Sequence, residues 1–216
     1  MRYTTLFFDL DGTLYDGENG LWEAIRRRMS AYMSERMGLP EDRVPILRRK
    51  YYETYGTTLR GLQKHHSVDP DDYLAYVHDL PLENYLQPAL DLRDMLLSLP
   101  QRKWIFTNAD DAHARRVMAV LRVEDCFDGI IDVRALKYAC KPEQEAYRQA
   151  MILAGEADPQ RCVLLDDSPV NLAPARRLGF VTVLVGSDSD HPAATYHMPD
   201  LLSLHKVMPE LWKDQG

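Results

Sequence analysis

The chain has 216 residues, 45% hydrophobic and 27% charged, proportions that allow a sizeable core and exclude a disordered chain. Its 33 acidic and 26 basic residues give a net charge of −7 with no basic stripe, which excludes a nucleic-acid polymer as partner while leaving room for one small phosphorylated ligand. No apolar stretch approaches the roughly 18 residues that span a bilayer, so no membrane partner is expected.

Residues 3–8 form the first short apolar run, and similar runs follow at 103–107, 129–133, 162–165 and 181–185. Each is too short for a helix and predominantly apolar rather than strictly alternating, the pattern of strands covered on both faces of a parallel sheet. About 90 residues lie between Asp11 and Lys103, more than a crossover needs. Within that interval Leu21, Trp22, Ile25, Met29, Met33 and Met37 recur at spacings of three and four, predicting a helix over 19–37 that ends at Gly38. Val44, Leu47, Tyr51 and Tyr55 repeat the pattern before Gly56, and Asp69-Pro70 reads as a helix cap with proline at the first position. Helical segments at 88–99, 111–121, 142–154 and 171–178 connect the later strands, with Pro142 as a first helical residue and Pro174 an awkward presence in the last. The expected architecture is α/β: a Rossmann-like parallel sheet built from residues 1–14 and 88–216, with a small helical subdomain inserted at 15–87. Cys126, Cys140 and Cys162 lack paired ligand spacing and read as reduced thiols of a cytoplasmic protein.

In open parallel sheets ligands bind beyond the carboxyl ends of the strands. Asp9 and Asp11 follow the first run, Thr107 and Asn108 close the second, and Asp166 and Asp167 follow the fourth. Four carboxylates on one edge repel one another unless a divalent cation sits among them. Mg²⁺, which takes hard oxygen ligands and is commonly shared with a substrate phosphate, suits that set. Four carboxylates against Mg²⁺ and one lysine still leave an excess negative charge, which one proton removes; a carboxyl kept neutral for general-acid work is a natural holder.

FFDLDGTLY, FTN, the lysine of CKP and LLDDS are similar, in order and placement, to the four motifs of the haloacid dehalogenase superfamily of phosphohydrolases. The insertion resembles the superfamily's first, helical class of cap. YYETYGTTLRGL, FTNADDAHARRVMAVL, DCFDGIID and CKPEQEAY further resemble the pyrimidine 5′-nucleotidase branch. The resemblance implies that Asp9 attacks phosphorus to form an aspartyl-phosphate. Asp11 then protonates the leaving oxygen and afterwards activates water. It implies that Thr107 and Asn108 supply a hydroxyl and main-chain N–H groups to the phosphoryl oxygens, and that Lys141 bridges Asp9 and the phosphate. Magnesium falls to Asp9, the Asp11 carbonyl and Asp167, with Asp166 acting through water or behind them. The fourth motif has the DDS form in place of the wider GDxxxD, so the roles of Asp166 and Asp167 are open to exchange.

The substrate class so implied is a small phosphate ester, a nucleotide first and a sugar phosphate or other organic phosphate second, acted on by a monomer or homodimer. A non-catalytic phosphate sensor on the same fold is the reading from another class, opposed by a nucleophile and an acid occurring together. Dehalogenase members resemble the first motif without its second aspartate, so Asp11 opposes carbon–halogen chemistry. Asp188, Asp190 and His191 read as polar loop residues rather than a second metal site. His65, His66 and His113 read as surface or packing histidines. Arg60 is either part of an ion pair within the insertion or a contact to substrate.

Overall fold

A computed structural model describes residues 2–187 and 189–213. Its strands are β1 (Thr5–Phe8), β2 (Arg102–Phe106), β3 (Gly129–Ile131), β4 (Cys162–Asp166), β5 (Val181–Val185) and β6 (Tyr196–Met198). Its principal helices are α1 (Leu21–Ala31), α2 (Val44–Tyr55), α3 (Thr58–His65), α4 (Pro70–His78), α5 (Leu90–Ser98), α6 (Asp111–Leu121), α7 (Gln144–Leu153) and α8 (Pro169–Leu178). The chain divides into one unit of Met1–Gly17 with Leu86–Gly216, which holds the whole sheet, and a second of Glu18–Tyr85.

The sheet has the order β3-β2-β1-β4-β5-β6 with every neighbouring pair parallel, a Rossmann-type α/β arrangement. All four residues of β1 are buried, and the strand pairs on both edges, Phe7 lying opposite Trp104 of β2 and Leu164 of β4. A strand so enclosed has no solvent face, which is why its sequence does not alternate. Phe7 contacts Phe106 edge-on at 6.0 Å and stacks with Phe180 at 5.9 Å, while Tyr147 of α7 meets Phe106 edge-on at 5.4 Å, so helices and sheet share one aromatic core. Cys126, Cys140 and Cys162 are buried free thiols.

The sheet has one strand more than the apolar runs predict. β6 is three residues long, with Tyr196 and His197 only partly buried, and is an edge strand defined by pairing with β5 rather than by an apolar run. Two helix starts also differ from expectation. α7 begins at Gln144 and not at Pro142: residues 141–142 form a turn before the helix, closed by the Glu143 N–H donating to Cys140 O at 2.8 Å, and Asn108 binds the N–H and the carbonyl of Lys141. α8 begins at Pro169, two residues upstream of residue 171, and carries Pro174 in its interior.

In the second unit α1 passes directly into a π-helical stretch, Tyr32–Arg36, before Gly38 stops it at φ 67. Asp69 caps α4 by accepting from the Asp71 N–H at 2.9 Å, with Pro70 in the first position. Leu21, Ile25 and Met33 are buried along the predicted apolar face. No helix among the described residues is long and apolar enough to cross a membrane.

Candidate active site

The β1–β4 pairing runs one residue past β1, the Asp9 N–H donating to Leu165 O at 2.9 Å, so the Asp9 carboxylate is fixed by the sheet itself. The chain then turns, with the Leu14 N–H donating to Leu10 O at 3.0 Å. Gly12 sits in this turn at φ 84, and a Cβ there would lie 2.7 Å from an Asp167 carboxylate oxygen. Glycine is therefore required twice over, by backbone conformation and by the approach of the carboxylate that follows β4.

Lys141, 1% exposed, is the hub. Its Nζ lies 2.8 Å from Asp9 Oδ1 and 2.6 Å from Asp166 Oδ2, and 5.0 Å from the centre of the Phe106 ring. A buried ammonium must have such partners, since the loss of water around an unpaired charge is costly. Asp166, fully buried, is also held by the Ser168 N–H at 2.9 Å and by Asn171 Nδ2 at 3.0 and 3.2 Å. Asn171 is fixed in turn through its carbonyl, which accepts from Tyr147 Oη at 2.6 Å. The neighbouring Asp167 is open to solvent.

Oxygens of Asp9, Asp166 and Asp167 lie within 4.8 Å of one another. Burial pushes the Asp9 carboxyl up; Lys141 opposes this, and Asp166 and Asp167 add to it. Asp167 is pushed up to about 6 by loss of hydration and by Asp166. For Lys141 burial pulls down, but Asp166 and Asp9 outweigh it and hold the amine charged. Three carboxylates facing one ammonium leave a surplus of negative charge whose donors are all hard oxygens. That donor set fits a divalent cation of the Mg²⁺ type, with Asp9 and the exposed Asp167 as its natural carboxylates and Asp166 committed to Lys141.

Asp11 is placed apart from that trio. Its Oδ1 accepts from Tyr15 Oη at 2.5 Å and lies 3.0 Å from His113 Nε2. The Tyr15 phenol is held far above its ordinary range by burial and by Asp11, so it remains a donor. His113, fully buried in the first turn of α6, is thus not an ordinary packing histidine; nothing in its local sequence announces a partner 102 residues away. Thr107, 2% exposed, accepts from the Ala109 N–H at 3.0 Å through its hydroxyl. The Asn108 side chain donates to Lys141 O at 2.9 Å and accepts from the Lys141 N–H at 2.8 Å, which gives it the task of fixing Lys141.

The family model described as haloacid dehalogenase-like hydrolase matches residues 3–179. The chain belongs to this family. It is 29% identical over 192 residues to Phosphate metabolism protein 8 of Saccharomyces cerevisiae, an alignment that covers 82% of this chain and 60% of the yeast protein. The chain thus spans less than two thirds of that relative's length. It is 26% identical over 208 residues to validoxylamine A 7′-phosphate phosphatase of Streptomyces hygroscopicus subsp. limoneus, covering 93% of this chain and 92% of that protein. The fold is similar to that of CbbY from Rhodobacter sphaeroides, solved in complex with phosphate, with a TM-score of 0.67, 17% identity and coverage of 94% and 96% of the two chains.

The remaining polar candidates in the chain have local partners. Asp190 contacts His197 at 3.2 Å, and His191 Nδ1 accepts from the Ala193 N–H at 3.1 Å; Asp188 lies outside the described residues. His65 and His66 pair with the hydroxyls of Tyr55 and Tyr51 at 2.7 and 3.0 Å. The Arg60 main-chain N–H donates to Thr57 Oγ1 at 3.1 Å, which caps α3.

Proposed function

We propose that this hydrolase is a Mg²⁺-dependent phosphomonoesterase that works through an aspartyl-phosphate, with pyrimidine nucleoside 5′-monophosphates as its substrate class. The observation that carries the reading is Lys141 Nζ lying 2.8 Å from Asp9 Oδ1 and 2.6 Å from Asp166 Oδ2. That contact keeps a permanent positive charge against the carboxylate that must meet a phosphate dianion.

In this reading an Asp9 carboxylate oxygen forms a bond to phosphorus as the ester oxygen departs, and the proton on Asp11 passes to that oxygen. Water then attacks the acyl phosphate, giving its proton to Asp11, and breaks the P–O bond to free phosphate and Asp9. Lys141 offsets charge on the phosphoryl group, while the Thr107 hydroxyl and the main-chain N–H groups around Asn108 orient its oxygens. The cation, held by Asp9, the Asp11 carbonyl and Asp167, would supply charge neutralisation for the transferred group. Glu18–Tyr85 serves as the specificity cap. Asp11 separates this chemistry from carbon–halogen hydrolysis, which has no leaving alkoxide to protonate.

The nucleotide assignment rests on the likeness of FTNADDAHARRVMAVL and its companion segments to the pyrimidine 5′-nucleotidase branch. A second reading, a sugar phosphate or another small organic phosphate, is favoured by the match along 92% of the Streptomyces phosphatase. A panel of phosphate esters assayed with Mg²⁺ decides between them. Turnover of UMP and CMP above sugar phosphates supports the first, and turnover confined to sugar phosphates or other small organic phosphates removes it. Asp9→Asn should abolish phosphate release and EDTA should stop it, and activity in either case refutes the corresponding part of the mechanism.

A further inference from the structure

Lys141 stands between two carboxylates that differ in what holds them. Asp9 is the nucleophile of the proposed mechanism, so its carboxylate charge is given up when it is phosphorylated and it cannot be the fixed anchor of the ammonium. Asp166 takes no part in bond making and is fully buried. Its Oδ1 accepts from the Ser168 N–H at 2.9 Å and from Asn171 Nδ2 at 3.0 Å, and its Oδ2 accepts from Lys141 Nζ at 2.6 Å and from the same Asn171 amide at 3.2 Å. Two donors at each oxygen fill the roughly four acceptor sites of a carboxylate. Of these donors only Asn171 reaches both oxygens, and it thereby fixes the plane of the carboxylate rather than a single atom. Asn171 stands in the first turn of α8, where its main-chain carbonyl accepts from Tyr147 Oη of α7 at 2.6 Å. Tyr147 is buried, edge-on to Phe106 at 5.4 Å and to Phe180 at 6.4 Å. Because α7 follows Lys141 in the sequence, the contacts close a circuit from Lys141 through Asp166, Asn171 and Tyr147 and back along the chain.

We propose that Asn171, braced by Tyr147, is a positioning residue for phosphoryl transfer: it locks the Asp166 carboxylate and through it sets the place of the Lys141 ammonium against Asp9 and the phosphoryl group. The inference rests on Lys141 acting on the phosphoryl group in the proposed mechanism. A lysine carries its charge as a compact point at the end of a flexible four-carbon stem, so the stem does not itself define where the charge sits. Asn108 ties down the Lys141 main chain, and Asn171 supplies the corresponding restraint at the far end of the side chain. Without the Asn171 amide, Asp166 is free to turn about the Ser168 N–H and Lys141, and the ammonium moves with it. Charge stabilisation in a water-excluded site depends on groups already in place, and a misplacement of about 1 Å costs on the order of 10²-fold.

The test uses the full chain at saturating Mg²⁺ and compares Asn171→Leu, which keeps the size of the side chain but removes the amide, with Tyr147→Phe, which removes one oxygen. Two readouts are taken: steady-state kinetics on p-nitrophenyl phosphate, and the ¹H–¹⁵N spectrum of the lysine ammonium groups, in which Lys141→Arg identifies the Lys141 signal. In Asn171→Leu kcat is expected to fall about 10- to 100-fold, and in Tyr147→Phe about 3-fold or more, with KM within about 3-fold of its original value in both. The Lys141 signal is expected to shift or broaden in both variants. An undiminished kcat, a loss carried by KM instead, or an unmoved Lys141 signal overturns the proposal. Asp9→Asn is run alongside. If it keeps its turnover, the phosphatase reading itself fails, whereas loss in Asp9→Asn with none in the Asn171 and Tyr147 variants overturns the positioning role alone. Tyr147→Phe is a one-atom change, so its result stands even if Asn171→Leu does not fold.

Discussion

The Asn108 side chain and the Lys141 peptide form a closed pair, Nδ2 donating to the carbonyl at 2.9 Å and Oδ1 accepting from the N–H at 2.8 Å. The segment after β2 thereby fixes the backbone from which Lys141 reaches Asp9 and Asp166.

Asn108→Ala removes both hydrogen bonds and leaves the Lys141 peptide groups without that partner. The expected results are a loss of about 2 kcal/mol in stability and a fall in kcat of roughly 10-fold or more with a smaller change in KM. Asn108→Asp keeps the acceptor but cannot donate, so it should fall between the two. Chemical denaturation and steady-state kinetics on the same samples check both effects.

The two carboxylates after β4 should separate on mutation. Asp166 is buried against Lys141, the Ser168 N–H and Asn171, so Asp166→Asn breaks a buried charge pair and should cost on the order of 3 kcal/mol. Asp167→Asn should leave stability nearly unchanged and instead raise the Mg²⁺ concentration for half-maximal activity by about 10-fold or more. Thermal melts with Mg²⁺ titrations of activity distinguish the two, and the reverse pattern would exchange their roles.

Glu156 ties the start of β1 to β2. Its carboxylate accepts from the hydroxyls of Thr4 and Thr5 and from the N–H groups of Ala157 at 3.0 Å and Asp158 at 3.2 Å, and it lies 3.4 Å from Arg102 Nη2. Burial raises its pKa, but these donors outweigh burial and hold the carboxyl below its ordinary value. An acid lowered in the folded state adds stability that is present above its unfolded pKa and disappears as pH falls through the folded one. Glu156→Gln should therefore cost about 1–2 kcal/mol at pH 7 and progressively less in acid, and urea denaturation from pH 7 to 3 should show the two curves converging.

Gly61 in α3 is packed so closely that a Cβ would lie 2.2 Å from a Tyr51 ring carbon and 2.3 Å from its Cβ. The neighbour is the rigid root of an aromatic side chain and cannot swing aside. Gly61→Ala should destabilise the helical unit by about 3 kcal/mol despite the higher helix propensity of alanine, as a thermal melt of the full chain will record.

The strands of the sheet that are buried on both faces could be read directly, because burial on two sides removes charged residues from 3–8 and 162–165. β6 could not, since it is a three-residue strand paired with β5 whose Tyr196 and His197 are only partly buried. Among the site residues, the convergence of Asp9, Lys141, Asp166 and Asp167 follows from the rule that strand ends gather on one edge. The shell around them is different. Asn171 looks like any polar residue in a helix, and Tyr15 and His113 acquire meaning only when the turn after β1 and the first turn of α6 come together. An i,i+4 relation between Asp11 and Tyr15 was the one local hint available.

β1 precedes the other strands of this sheet in the sequence, yet both of its edges pair with strands made much later, Arg102–Ile105 on one side and Cys162–Leu165 on the other. During translation Asp9 therefore leaves the ribosome long before the segments that bring Lys141 and Asp166 to it, while the contiguous Glu18–Tyr85 stretch already has all of its own sequence available. A nascent chain stalled before residue 162 would present a helical unit and an unfinished sheet, and the pocket chemistry would be born last.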